Sequence, residues 1–289
     1  MYTGEHEVTG EIPLVCPTCR FKDDISYLGD LTVLSQARID SLTCSRCGSV
    51  YPVESGIPIM VPEEYRAMSN FPQDQIDSEY IQFNTMATKK VAQLAAKYSY
   101  GQSLDVGCGK GVYSEYFNGT VVLSDINYYF VSEALRTYPS THAAFGVVAD
   151  ARYLPFPPGS FDFIICSNVI EHLPSEDIQS TINALRETTR DMLQIDVPNS
   201  SRLIQLIWHF FSKLGFYKGE AHKDESLDHH SFFVALDLRK IGFTVRGCIG
   251  WPSRKKIRLG PIWSLYDVLA WRLPWMAGTL IGRYQKNKV

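Results

Sequence analysis

Along the second half of the chain, short apolar runs alternate with longer mixed stretches, and several of the runs end in a polar or acidic residue. Leu104 and Val106 lead into a glycine-rich turn. Val121-Val122-Leu123 ends in Ser124-Asp125, and Phe145-Gly146-Val147-Val148-Ala149 ends in Asp150. A proline-rich loop, 154–160, feeds a further run that reaches Ser167-Asn168, and residues 192–197 form a fifth. Short apolar runs bounded by turn residues read as buried strands. Between them lie helical patterns. Residues 78–98 space Tyr80, Phe83, Met86, Val91, Leu94 and Ala95 along one face; 175–190 is amphipathic, with Ser175 as its N-cap after Pro174; 232–241 is closed by Gly242. Residues 243–249 and 278–285 supply a sixth and a seventh strand. Strands alternating with helices predict an α/β, Rossmann-like parallel sheet with helices on both faces.

The stretch Leu104-Asp105-Val106-Gly107-Cys108-Gly109-Lys110-Gly111 adds chemistry to that frame. Glycines at alternate positions permit positive φ and leave no Cβ between main chain and a ligand. The spacing is GxGxG, whereas the dinucleotide fingerprint is GxGxxG, which argues against NAD. Asp125, fourteen residues past Gly111, ends the second strand, where a carboxylate can accept hydrogen bonds from ribose hydroxyls.

In order and spacing, these segments resemble the class I S-adenosylmethionine-dependent methyltransferases, in particular the ubiquinone and menaquinone methyltransferase subgroup, over residues 80–200. The resemblance implies a seven-stranded sheet whose last strand is antiparallel. It implies that Asp105, Gly107, Gly109 and Gly111 hold the methionine moiety, Asp125 the ribose, and Asp150 with Ala151 the adenine. Ser167 and Asn168 would line the pocket beside the methyl group. A sulfonium methyl is already electrophilic, so the protein has to align a nucleophile and exclude water. For a hydroxyl acceptor a base is useful: His172 is the first candidate, His229 and His230 the second. No Asn-Pro-Pro-Tyr or Asp-Pro-Pro-Tyr follows the fourth strand, which disfavours exocyclic base amines. An oxygen of a small or lipid- or sugar-linked acceptor is therefore the leading expectation. RNA methylation with the ribbon as contact module, and a silent adaptor binding another enzyme, are the alternatives.

Two CxxC pairs, Cys16/Cys19 and Cys44/Cys47, are separated by a short β-rich stretch and can converge tetrahedrally on zinc. Four cysteines leave no open coordination position, so the predicted Zn2+ is structural. The segment that follows resembles the small zinc-ribbon proteins that activate methyltransferases, which makes a protein partner conceivable at this module. Residues 1–64 read as the zinc ribbon, 65–77 as a linker, and 78–289 as the methyltransferase domain.

Composition changes the picture little. The 289 residues are 45% hydrophobic, and the net charge of −3 counts against nucleic acid as a partner. No basic, apolar leader opens the chain and no apolar run is of membrane-spanning length, so the expectation is cytoplasmic. Two insertions stand apart: 201–230, aromatic and carrying His222, His229 and His230, reads as a substrate lid. The second, 251–276, begins with Arg254, Lys255, Lys256 and Arg258 beside several tryptophans, a pattern suited to peripheral contact with an anionic membrane, to nucleic acid, or to packing on its own domain.

Overall fold

The computed structural model describes residues 11–20, 26–34, 38–69, 86–137, 144–201, 206, 230–248 and 268–286. Residues 78–85, almost all of the 201–230 insertion, His229 included, and 249–267 lie outside the described residues.

The N-terminal module is built from very short elements. They are β1 (Pro13–Val15), a single turn α1 (Pro17–Arg20), β2 (Tyr27–Asp30), α2 (Leu31–Leu34), β3 (Ser41–Thr43), β4 (Val50–Glu54) and β5 (Ile57–Pro58). β1 pairs with β2, and β3-β4-β5 form a second antiparallel sheet. Gly48, directly after the second knuckle, takes a φ of 75°, and its N–H donates to the Cys44 carbonyl at 2.9 Å. A Cβ there would meet nothing within 4 Å, so the turn needs glycine for its backbone angle alone.

After α3 (Met86–Ala95) come β6 (Gln102–Val106), β7 (Thr120–Asp125), α4 (Tyr128–Thr137), β8 (Ala144–Val148), β9 (Phe161–Ser167), α5 (Ile178–Thr188), β10 (Thr189–Pro198), α6 (Ala235–Lys240), β11 (Thr244–Cys248) and β12 (Thr279–Gln285). The last seven strands make one sheet, in the order β11-β12-β10-β9-β6-β7-β8. β12 runs antiparallel to both β10 and β11, while the other neighbours described, from β10 through β8, are parallel. β9 is buried along nearly its whole length, as an apolar run in the middle of a two-sided sheet must be. From β6 the chain winds outward through β7 and β8, then crosses back to β9. That reversal opens a crevice at the carboxyl ends of β6 and β9.

Two local expectations differ. α5 starts at Ile178, with the Asp177 carbonyl accepting the first intrahelical bond, whereas Ser175 pairs its hydroxyl with that of Ser231 at 3.1 Å. The Asp177 carboxylate is directed to Arg152 at 3.1 Å. Residues 65–69, expected as linker, belong to the 3-10 helix Glu63–Ser69, and Tyr65 stacks on Tyr153 with centroids 5.5 Å apart.

The N-terminal module and the large sheet share a core. Leu14, Leu31, Leu34 and Tyr51 cluster with Leu154, Phe156 and Phe161. Ile59 forms a parallel bridge to Val148, so the module covers the edge strand β8, whose free N–H and C=O groups would otherwise be open to another chain.

Candidate active site and metal centre

A cleft of about 530 Å³ opens at the switch point of the sheet. Its floor is the glycine turn. Gly107, Gly109 and Gly111 take φ values of 69°, 50° and 78°, all in the left-handed region. At Gly107 a Cβ would lie 2.2 Å from Cγ2 of Val169, so strain and collision coincide. Gly107→Ala should destabilise the fold by about 3 kcal/mol and push Val169 into the cleft. Thermal unfolding with and without S-adenosylhomocysteine measures both effects.

Asp125 ends β7 on the wall of the cleft. Its carboxylate accepts from the Gly109 N–H at 3.0 Å and the Asn127 N–H at 2.9 Å. A carboxylate has about four acceptor sites, and the capacity that the backbone N–H groups leave open can take a ligand's hydroxyls. Burial raises Asp125 to about 6, with the N–H groups of Asn127, Gly109 and Ile126 opposing the shift. The ionised form is the better acceptor. It is nearly complete by about pH 7, half present near pH 6, and lost as pH falls further. Affinity for S-adenosylhomocysteine should therefore be level from pH 7 to 8 and fall by about tenfold per unit below pH 6, as calorimetry across pH would record.

Asp150 caps the 3-10 turn Ala151–Tyr153 by accepting from the Arg152 N–H at 2.9 Å. The Arg152 guanidinium, two residues on, donates to both of its oxygens at 2.7–3.1 Å. Asp150 thus reaches the cleft as half of an ion pair.

At the far wall, β9 ends in Ser167 and Asn168. Asn168 has a φ of 53°, a region asparagine tolerates better than most residues, and its amide donates to the Tyr113 hydroxyl at 3.2 Å. Behind Ser167 in register is Asp196 of β10, raised to about 7 by burial and pulled partly back by the Gln194 amide and Arg283.

The second centre is in the N-terminal module. The sulfurs of Cys16, Cys19, Cys44 and Cys47 lie within 4.8 Å of one another, with Cys16 to Cys47 at 3.6 Å and Cys19 to Cys44 at 3.7 Å. Four thiolates placed tetrahedrally at the usual zinc–sulfur distance stand about 3.8 Å apart, so the set fits zinc. Burial raises the Cys16 and Cys19 thiols. At Cys44 the Ser26 hydroxyl and the N–H groups of Cys47 and Arg46 outweigh burial and bring the thiol to about 6. All seven cysteines are free thiols in this structure.

A family model described as a methyltransferase domain matches residues 104–191, the span from β6 into β10 that carries the cleft. Residues 104–191 are thus a methyltransferase domain. Among solved structures, this chain is similar to a Thermotoga maritima S-adenosylmethionine-dependent methyltransferase (16% identity, 74% of this chain and 98% of that one, TM-score 0.49). It is similar also to one from Archaeoglobus fulgidus (18%, 74% and 100%, TM-score 0.48). The small RNA methyltransferase HEN1 aligns over 76% of this chain but only 26% of its own length, at 12% identity and a TM-score of 0.47. A comparison with curated proteins finds no match.

Of the residues singled out in the sequence, the methyltransferase brings Gly107, Gly109, Asp125, Asp150, Ala151, Ser167, Asn168, His172 and His230 to one cleft. Asp105 and Gly111 are not on its wall. Asp105 is wholly buried under the turn, raised to about 7 by burial and drawn back by Ser114. Gly111 packs the turn against α4, where a Cβ would meet that of Ala134 at 3.2 Å. Sequence reasoning passed over Tyr113, Ile126, Phe130 and Arg152, which also line the cleft. Each sits one to five residues beyond a recognised motif, so adjacency was the available signal. Among the described residues no helix is long and apolar enough to cross a membrane.

Proposed function

We propose that the methyltransferase acts on an oxygen of a small or lipid- or sugar-linked acceptor, as in the ubiquinone and menaquinone subgroup it resembles. The observation that carries this reading is the make-up of the cleft lining, where His172 and His230 accompany the apolar Phe130, Val169, Leu173 and Pro174. An apolar wall with few polar groups suits a hydrophobic acceptor that presents one hydroxyl. Phe232 and Leu236, close to His230 in sequence, are 72% and 56% exposed, as a contact with an apolar acceptor or a lipid surface would require.

In this reading the bound donor supplies an activated methyl group. The glycine turn and Asp125 orient it, Asn168 and Tyr113 border the transfer path, and His172 takes the proton from the acceptor hydroxyl. The four cysteines hold a structural zinc. His172→Gln should lower kcat by about a hundredfold while leaving affinity for S-adenosylhomocysteine within about twofold. Transfer of a labelled methyl group to a panel of phenolic, glycosidic and prenylated acceptors tests the proposal. Retention of full activity by the variant would remove His172 from the mechanism, and transfer to RNA alone would overturn the acceptor class.

A further inference from the structure

Residues 148–156 run from the end of β8 to the strand-feeding loop and supply Ala149, Asp150, Ala151 and Arg152 to the cleft. The N-terminal module grips this segment at both ends. At the start, Ile59 bridges Val148, and the Met60 N–H donates to the Val148 carbonyl at 2.7 Å. Toward the finish, the Val15 N–H donates to the Pro155 carbonyl at 2.9 Å. Arg20 does more there: Nη1 donates to the carbonyls of Leu154, at 2.8 Å, and Phe156, while Nη2 donates to Oγ1 of Thr188 at 2.9 Å. Between the grips, Tyr65 stacks on Tyr153 and carries the Arg152 guanidinium 4.9 Å above its ring.

Arg20 is tied as closely to the metal centre. It ends α1, the turn that contains Cys19, and its own N–H donates to the carbonyl of Cys16 at 2.9 Å. A planar guanidinium fork holds two carbonyls and a hydroxyl in one fixed relation, which a flexible ammonium does not. The place of the first knuckle therefore sets the place of residues 154–156, and with them the turn at 150–152.

We propose that Arg20 is a positioning residue of the methyltransferase, linking the metal-loaded first knuckle to the adenine end of the cleft. Donor affinity and zinc affinity are thereby coupled. The inference rests on the adenine lying at Asp150 and Ala151 and on zinc occupying the four cysteines. Coupling between two sites is reciprocal: if the loaded ribbon strengthens donor binding, bound donor strengthens zinc binding by the same factor.

The test uses the full-length, zinc-loaded protein and its Arg20→Met and Arg20→Lys variants, with two ligands. S-adenosylhomocysteine carries the purine 6-amino group, and S-inosylhomocysteine has an oxygen in its place. For Arg20→Met, calorimetry should give about tenfold weaker S-adenosylhomocysteine binding and a reduced preference over the inosine analogue, with one zinc per chain retained. Arg20→Lys should recover part of the loss, since one carbonyl bond survives. Competition with a chromophoric chelator gives the reciprocal reading. Saturating S-adenosylhomocysteine should tighten zinc binding in the wild type and have nearly no effect in Arg20→Met. If Arg20→Met does not fold, Arg20→Lys carries both measurements at about threefold amplitude. Affinity, purine preference and zinc coupling all within twofold of the wild type in the folded variants would overturn the proposal. A wild type that binds no S-adenosylhomocysteine would overturn the donor site on which it rests.

Discussion

A Cys19→Ser variant should lose stoichiometric zinc and about 5 kcal/mol of stability, lowering the melting temperature by about 10 °C. Cys19 is buried, and its sulfur faces that of Cys44 at 3.7 Å, so serine there leaves an incomplete ligand set with no room to recruit another group. The elements around it are two to five residues long, too short to hold a fold by their own pairing. Because Leu14, Leu31 and Tyr51 share a core with Phe156 and Phe161, the loss should not stay local. One cooperative transition at lower temperature is expected in place of a separate ribbon transition. Metal analysis and calorimetric melting measure this, and a variant that melts within 2 °C of the wild type would contradict a structural zinc.

Asp125→Asn should weaken binding of S-adenosylhomocysteine by about a hundredfold, equivalent to about 3 kcal/mol. The magnitude comes from two roles in one carboxylate. Its remaining acceptor sites face the cleft, and its bonds to the N–H groups of Gly109 and Asn127 fix the glycine turn against the start of α4. Asparagine keeps the shape but exchanges one acceptor for an NH2 group, which confronts either a backbone N–H or a ligand hydroxyl with a donor. Binding titrations separate the roles: loss for adenosine as well as for S-adenosylhomocysteine is expected if the ribose contact dominates.

Much of this architecture is legible in the chain because strand ends carry the motifs. The runs ending at Asp125, Asp150 and Ser167-Asn168 are β7, β8 and β9, and their parallel arrangement brings all three endings to one rim. The two CxxC pairs likewise declare their convergence through spacing alone. What stays hidden is set by contacts between distant segments. Nothing local to Asp150 shows that Arg152 takes up its carboxylate, because that depends on how the turn at 151–153 curls. Nor does local patterning place the N-cap of α5. Serine at 175 suits the role by type, but Ser231, distant in sequence, supplies its hydroxyl's partner. The boundary between the N-terminal module and the large sheet is blurred in the same way. Polar composition from residue 65 onward suggests a linker, yet Tyr65 is held by Tyr153 and Arg152.

The most direct test of the central assignment is calorimetric titration of the zinc-loaded protein with S-adenosylmethionine and S-adenosylhomocysteine, with NAD as control. Saturable binding of the first two at one site per chain, and none of NAD, is the predicted result. Absence of binding, or preference for NAD, would contradict the reading of the glycine turn and Asp125 as a methyl-donor site.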